Sequence, residues 1–164
     1  MFNIDYFKQL NKEDFYESLL FFAKGLMDGE RDMIANLSNV SSLLYNTMEN
    51  VNWSGFYLYK EEQLVLGPFQ GKPACIRIQL GKGVCGTAVS HKETQLVKDV
   101  HDFPGHIACD GETNSEIVIP IIIKDKVVGV LDIDSPILNR FDDEDVRYLE
   151  TLVEYIKEAC EWGA

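Results

Sequence analysis

Apolar residues recur every three or four positions at both ends of the chain and alternate through the middle. After Asn11, Phe15, Leu19, Phe22 and Leu26 fall on one side of a helix, and Gly29 closes the run. Asn11 and Asp14 supply the start signal, a capping amide and a carboxylate in the first turn. A second helix is predicted from about Asp32 to Met48, with Met33, Leu37, Val40, Leu44 and Met48 inward. Val51–Tyr59 alternates instead, with Trp53, Gly55, Tyr57 and Tyr59 on one side and Phe56 and Leu58 on the other. Glu61 and Glu62 turn into a short strand, Leu64–Phe69. A third strand, Ala74–Leu80, carries Cys75, Arg77 and Gln79 on its polar face. Gly83–His91 has room for one or two helical turns with Cys85 at their start, Thr94–Val97 is a short strand, and Lys98–Asn114 is a long loop. Ser115–Ile123 and Val127–Asp134 are the strongest strands and read as a hairpin about Lys124-Asp125-Lys126. Asp142–Trp162 is a closing helix striped by Val146, Leu149, Leu152, Val153, Ile156 and Cys160. Helices at both ends of a mainly antiparallel sheet predict an α+β fold.

The chain has 164 residues, enough for one domain with a real core. Its 27 acidic and 15 basic residues leave a net charge of −12. That disfavours nucleic acid, whose binding neutralises phosphates with Lys and Arg, and anionic membrane surfaces. Met1–Leu10 lacks the basic start and apolar run of a secretory signal, and no apolar run approaches the roughly 20 residues that span a bilayer. A cytoplasmic location, with no membrane partner, is the expectation. Thiols are kept reduced there, so clustered cysteines point to catalysis or metal binding rather than a disulfide framework.

Three of the four cysteines, Cys75, Cys85 and Cys109, lie within the glycine-rich, proline-punctuated stretch Gly71–Asp110. A structural zinc site usually shows close pairs such as C-x-x-C, and this window has none; the nearest mixed set is His101, His106 and Cys109. A redox set needs one exposed, partly ionised thiol and another to resolve it. Cys109 follows Pro104-Gly105-His106 in a loop and suits the first role, with His106 placed to assist its thiolate. From the residues alone, redox chemistry, a metal site and incidental burial all stay open. Cys160, on an apolar stripe, reads as inert packing.

Carboxylates form a second cluster. Asp132 and Asp134 share a strand face, and a hairpin centred on Asp125 sets Glu116 opposite Asp134 and diagonal to Asp132. A one-residue slip would send Glu116 to the other face. Three opposed carboxylates with no Lys or Arg in these strands call for a cationic ligand or for raised pKa values. Trp53 and Tyr57, on one face of the first strand, either wall a small pocket or belong to the core.

The runs G71-K-P-A-C-I-R-I, G81-K-G-V-C-G-T-A and V100-H-D-F-P-G-H-I-A-C-D110, followed by S-E-I-V-I-P and G129-V-L-D-I-D-S, closely resemble the free methionine-(R)-sulfoxide reductases, which are built on a GAF domain. The resemblance covers about Phe15 to Ile156. It implies a single GAF domain over residues 1–164, with the terminal helices packed on one face of the sheet. It implies reduction of free L-methionine-(R)-sulfoxide to methionine. Cys109 matches the catalytic cysteine, Cys75 the resolving cysteine that forms a disulfide with it, and Cys85 an auxiliary thiol. Glu116, Asp132 and Asp134 match substrate-holding carboxylates, and Trp53 and Tyr57 pocket aromatics. The expected partners are the free amino-acid sulfoxide, thioredoxin as external dithiol, and a second copy of the chain in a homodimer; no cofactor and no metal are implied. The competing reading is a non-catalytic GAF module that senses a small ligand, which gives no reason for three placed thiols.

Overall fold

The computed structural model describes residues 2–163. Its three longest helices begin where side chains satisfy free backbone N–H groups. Asn11 accepts from the Asp14 N–H at the start of α2 (Lys12–Met27), and Asp32 from the Ala35 N–H at the start of α3 (Met33–Thr47). The closing helix α5 (Asp143–Ala159) opens on a reciprocal capping box between Asp142 and Asp145. A short first helix, α1 (Ile4–Phe7), has no periodicity of its own, yet Phe7 is buried in the core.

Six strands make one antiparallel sheet: β1 (Trp53–Lys60), β2 (Gln63–Gly71), β3 (Arg77–Gln79), β4 (Gln95–Val97), β5 (Ser115–Ile123) and β6 (Lys126–Ser135), in the spatial order β3-β2-β1-β6-β5-β4. Strand alternation divides its side chains between two cores. Phe56, Leu58, Ile117, Ile119, Ile121, Leu131 and Ile133 meet α2, α3 and α5. Trp53, Tyr57, Val118 and Val130 face the other way, toward α4 (Gly83–His91). The α+β architecture and the helix-covered face agree with the sequence pattern.

Two elements depart from it. In α2 the buried residues are Tyr16, Leu19, Ala23 and Met27, while Leu26 is exposed. Tyr16 turns inward because its hydroxyl donates to the buried carboxylate of Asp145. Phe15 and Phe22 pack instead on Phe7 of α1, an element the periodicity did not announce. The predicted strand Ala74–Leu80 shrinks to Arg77–Gln79, so Cys75 stands in a loop rather than on a strand. Pro73 has no N–H for a ladder, and aromatic side chains of β1 take two carbonyls of this loop.

The β5–β6 hairpin turns through Lys124 and Asp125, both with positive φ, the geometry that matches strand twist. Ile123 pairs with Lys126 and Ile122 with Val127, but Ile121 pairs with Gly129. The bulge at Val128 advances the register by one residue. From there Glu116 pairs with Asp134 and Val118 with Asp132. Without the bulge Glu116 would pair with Ile133, a residue of the helix-side core.

Candidate active site

Strand β1 and the residue before it hold two loops above the α4 face of the sheet. The Trp53 indole Nε1–H donates to the Lys72 carbonyl at 3.2 Å and the Tyr57 hydroxyl donates to the Cys75 carbonyl at 2.8 Å. Burial, then the charges of nearby acids and Cys85, push the Tyr57 phenol far up, so it stays a donor. Trp53 stacks on Tyr57 and on Phe69, which fixes both rings. Just ahead of the strand, the Asn52 Nδ2 donates to Asp110 Oδ2 at 3.1 Å and to Thr113 Oγ1 at 3.0 Å. The loop carrying Cys75 is thus fastened to β1 and the loop carrying Cys109 to the residue just before it. A disulfide joins the two cysteines, with their Cα atoms 5.9 Å apart. Cys109 is exposed and Cys75 half-buried.

Cys85 lies on the first turn of α4 and is a free, buried thiol. Its Sγ donates to Asp132 Oδ2 at 3.4 Å. Burial first, and then the neighbouring acids, push this thiol well up, so Cys85 is a neutral donor. Gly83 begins the helix at φ +61, and the place of its missing Cβ lies 3.1 Å from Ile107, so a side chain there would crowd the Cys109 loop.

Beneath the disulfide the register brings the carboxylates together. Glu116 and Asp132 are 6% and 5% exposed, and Asp134 is half-buried. Oxygens of Glu116 and Asp132 and the Cys85 sulfur lie within 4.8 Å of one another. All three carboxyls are held well above the usual range, first by burial and then by one another's charge. Among the described residues no Lys or Arg pairs with them. The neighbour is His106, whose Nε2 is 3.7 Å from Glu116 Oε1 and whose burial pushes it down, toward the neutral imidazole. Oδ1 of Asp132 and Oδ1 of Asp134 are buried and have no partner. Buried polar atoms are normally paired, so this is a receptor for a cationic or proton-donating group. The cavity is about 50 Å³, and Trp53, Tyr57, Cys85, Cys109 and the three acids are among its lining. That is far below the ~300–1,000 Å³ typical of small-molecule sites, so the site is narrow in this disulfide-bonded form.

All eight residues singled out in the sequence therefore meet at one cavity, with Cys75 bordering it on the disulfide. His101 does not join them. It is exposed and bonds to Asp99, and Cys109 is committed to the disulfide, so His101, His106 and Cys109 form no common ligand set. His106 lies beside Glu116 and lines the same cavity as Cys109. Cys160 is buried in the helix-side core, with the Asn36 amide on its sulfur at 3.7 Å. The residue the pattern missed is Asn52, which lies within the predicted strand Val51–Tyr59 and in the structure just precedes β1, and no local signal marks it.

Comparison with known proteins places this geometry. A GAF-domain family model matches residues 35–161. The free methionine-R-sulfoxide reductase of Escherichia coli K12 is 53% identical over 144 residues, covering 88% of this chain and 87% of that protein. The free methionine-R-sulfoxide reductase of Saccharomyces cerevisiae is 51% identical over 166 residues, covering 96% and 92%. The structure of the fRMsr of Staphylococcus aureus in complex with its substrate is similar at a TM-score of 0.85 and 54% identity, covering 88% of this chain and 94% of that one.

Proposed function

This chain belongs to the GAF-domain family and, within it, to the free methionine-(R)-sulfoxide reductases, and we propose that it reduces free L-methionine-(R)-sulfoxide to L-methionine. The observation that carries this reading is the Cys75–Cys109 disulfide closing over three clustered carboxylates, two of them buried, that lack a Lys or Arg partner among the described residues. The free amino acid has an ammonium group to supply that cation; a methionine inside a peptide has none.

In the proposed cycle the reduced protein binds the sulfoxide between the carboxylates and the Trp53–Tyr57 wall. One carboxyl of the trio, protonated because burial and crowding hold it above the usual range, donates to the sulfoxide oxygen. The Cys109 thiolate attacks the sulfur thus made electrophilic. The oxygen passes to Cys109 as a sulfenic acid and methionine leaves. The Cys75 thiol displaces water from the sulfenic acid and forms the disulfide. An external dithiol of the thioredoxin type then exchanges with it, taking up the disulfide and returning both thiols. Cys85, buried and neutral, keeps its proton on Asp132 through the cycle. No resident cofactor enters, since the two electrons come from the dithiol.

The test is methionine release from each sulfoxide epimer of the free amino acid, with thioredoxin and its reductase present. The R epimer should be turned over and Cys109→Ser should be inert. Cys75→Ser without reductant should release about one methionine per chain, as one sulfenic acid forms per active thiol. Normal turnover by Cys109→Ser would overturn the assignment of Cys109, and no loss of free thiols on adding the sulfoxide would overturn the reading in favour of a ligand sensor.

A further inference from the structure

Asn52 ties the loop of the attacking thiol to the carboxylate strand, and no step of the thiol chemistry employs it. Its backbone N–H donates to the carbonyl of Asp134 at 3.0 Å, while its side-chain amide donates to Asp110 and Thr113 at 3.1 and 3.0 Å. Asp110 directly follows Cys109, and it organises a turn of its own: its carboxylate accepts from the Glu112 N–H and its carbonyl from the Thr113 N–H. Asn52 therefore grips both ends of this turn from a point fixed against Asp134. On the other side of Cys109 the backbone bonds are local, His106 to Phe103 and Cys109 to Ile107, and the contact with α4 is the apolar one of Ile107 on Gly83.

We propose that Asn52 is a positioning residue that holds the Cys109 loop over the carboxylates whenever the Cys75–Cys109 bond is open. The inference rests on the reading of Cys109 as the nucleophile. In the closed form the disulfide and the Asp110 turn hold Cys109 directly, while His106 beside Glu116 and Ile107 beside Gly83 steady the residues before it. Reduction removes the first when the thiolate must meet the sulfoxide sulfur, and the second remains. The amide suits the task because one nitrogen can donate to a carboxylate and a hydroxyl together; an aspartate would set carboxylate against carboxylate. Asn52 Oδ1 is buried without a partner, so the side chain is oriented by what its nitrogen holds rather than by satisfying itself.

The experiment is a rapid-quench single turnover of the reduced full-length protein with free methionine-(R)-sulfoxide, across substrate concentrations. A nucleophile displaced by about 1 Å loses on the order of a hundredfold. Asn52→Ala and Asp110→Ala should each lower the limiting rate by about tenfold to a hundredfold with the half-saturating concentration unchanged. Asn52→Asp alone should be the slowest, and the swapped pair Asn52→Asp with Asp110→Asn should restore the rate, since amide and carboxylate still face each other. An unchanged limiting rate in Asn52→Ala, a loss confined to half-saturation, or no recovery in the swapped pair overturns the proposal. If Asn52→Ala does not fold, Asp110→Ala decides, because it removes the same contact from the loop side. Failure of the unsubstituted protein to release methionine sinks the assignment of Cys109 and this inference with it; release by that protein with unaffected variants sinks this inference alone.

Discussion

Asp145 and Asp132 are both buried aspartates, one on each side of the sheet, and the chain treats them in opposite ways. Asp145, fully buried, accepts from the Tyr16 hydroxyl and the Asp142 N–H, pairs with Lys12 at 2.8 Å, and has Arg140 at 3.7 Å. Every demand of its charge is met within the molecule. Asp132 receives one weak thiol donor, sits among two more acids, and leaves an oxygen unpaired. Burial is common to both; the missing partner distinguishes the functional group. Under the proposed function its partner is the ammonium group of the substrate, and until the substrate binds the fold carries the cost of crowding.

Removing a partner should therefore hurt one side and relieve the other. The largest effect is expected from Asp145→Ala, which strands Lys12, Arg140 and the Tyr16 hydroxyl: a loss of about 3–5 kcal/mol of unfolding free energy in urea titration. Asp132→Asn should do the reverse at pH 8, leaving unfolding free energy equal or higher while single-turnover methionine release falls about a hundredfold. A destabilised Asp132→Asn would break the contrast. The pH dependence should sharpen it. The site carboxyls have folded pKa values above the ordinary value of about 4, so between the two the folded state binds more protons than the unfolded one. Their contribution to stability is thus greatest at the acidic end and declines as pH rises through the folded values. Thermal unfolding from pH 5 to 9 should show a downward slope that Asp132→Asn flattens and free methionine offsets. The smallest change is Tyr57→Phe. It removes one hydrogen bond to the Cys75 loop, worth about 1 kcal/mol, and should slow disulfide closure by about fivefold while sparing the first methionine released. Slowing of that release instead would assign the hydroxyl to the substrate.

Some of the site was open to a reader of the sequence. Asp132 and Asp134 share a face by strand period alone, and Trp53 and Tyr57 do likewise. The motif match ranked Cys109, Cys75 and Cys85 by likeness to the reductases. Other parts were closed to it. Cys75 sits in what resembles strand text, and only Pro73 hinted that the ladder stops short. Asn52 acts through atoms 58 and 61 residues away in the chain, and nothing local marks such a contact.

The sequence by itself determined the elements, their caps and the two faces of each strand, because these follow from interactions a few residues apart. The tertiary structure decided where the faces meet. The bulge at Val128 puts Glu116 beside Asp134 instead of Ile133, and β1 with Asn52 before it clamps two distant loops so that Cys75 reaches Cys109. The bulge depends on how the whole sheet pairs and packs, and the clamps on side-chain hydrogen bonds between segments far apart in the chain; neither leaves a periodic mark on any one stretch of it.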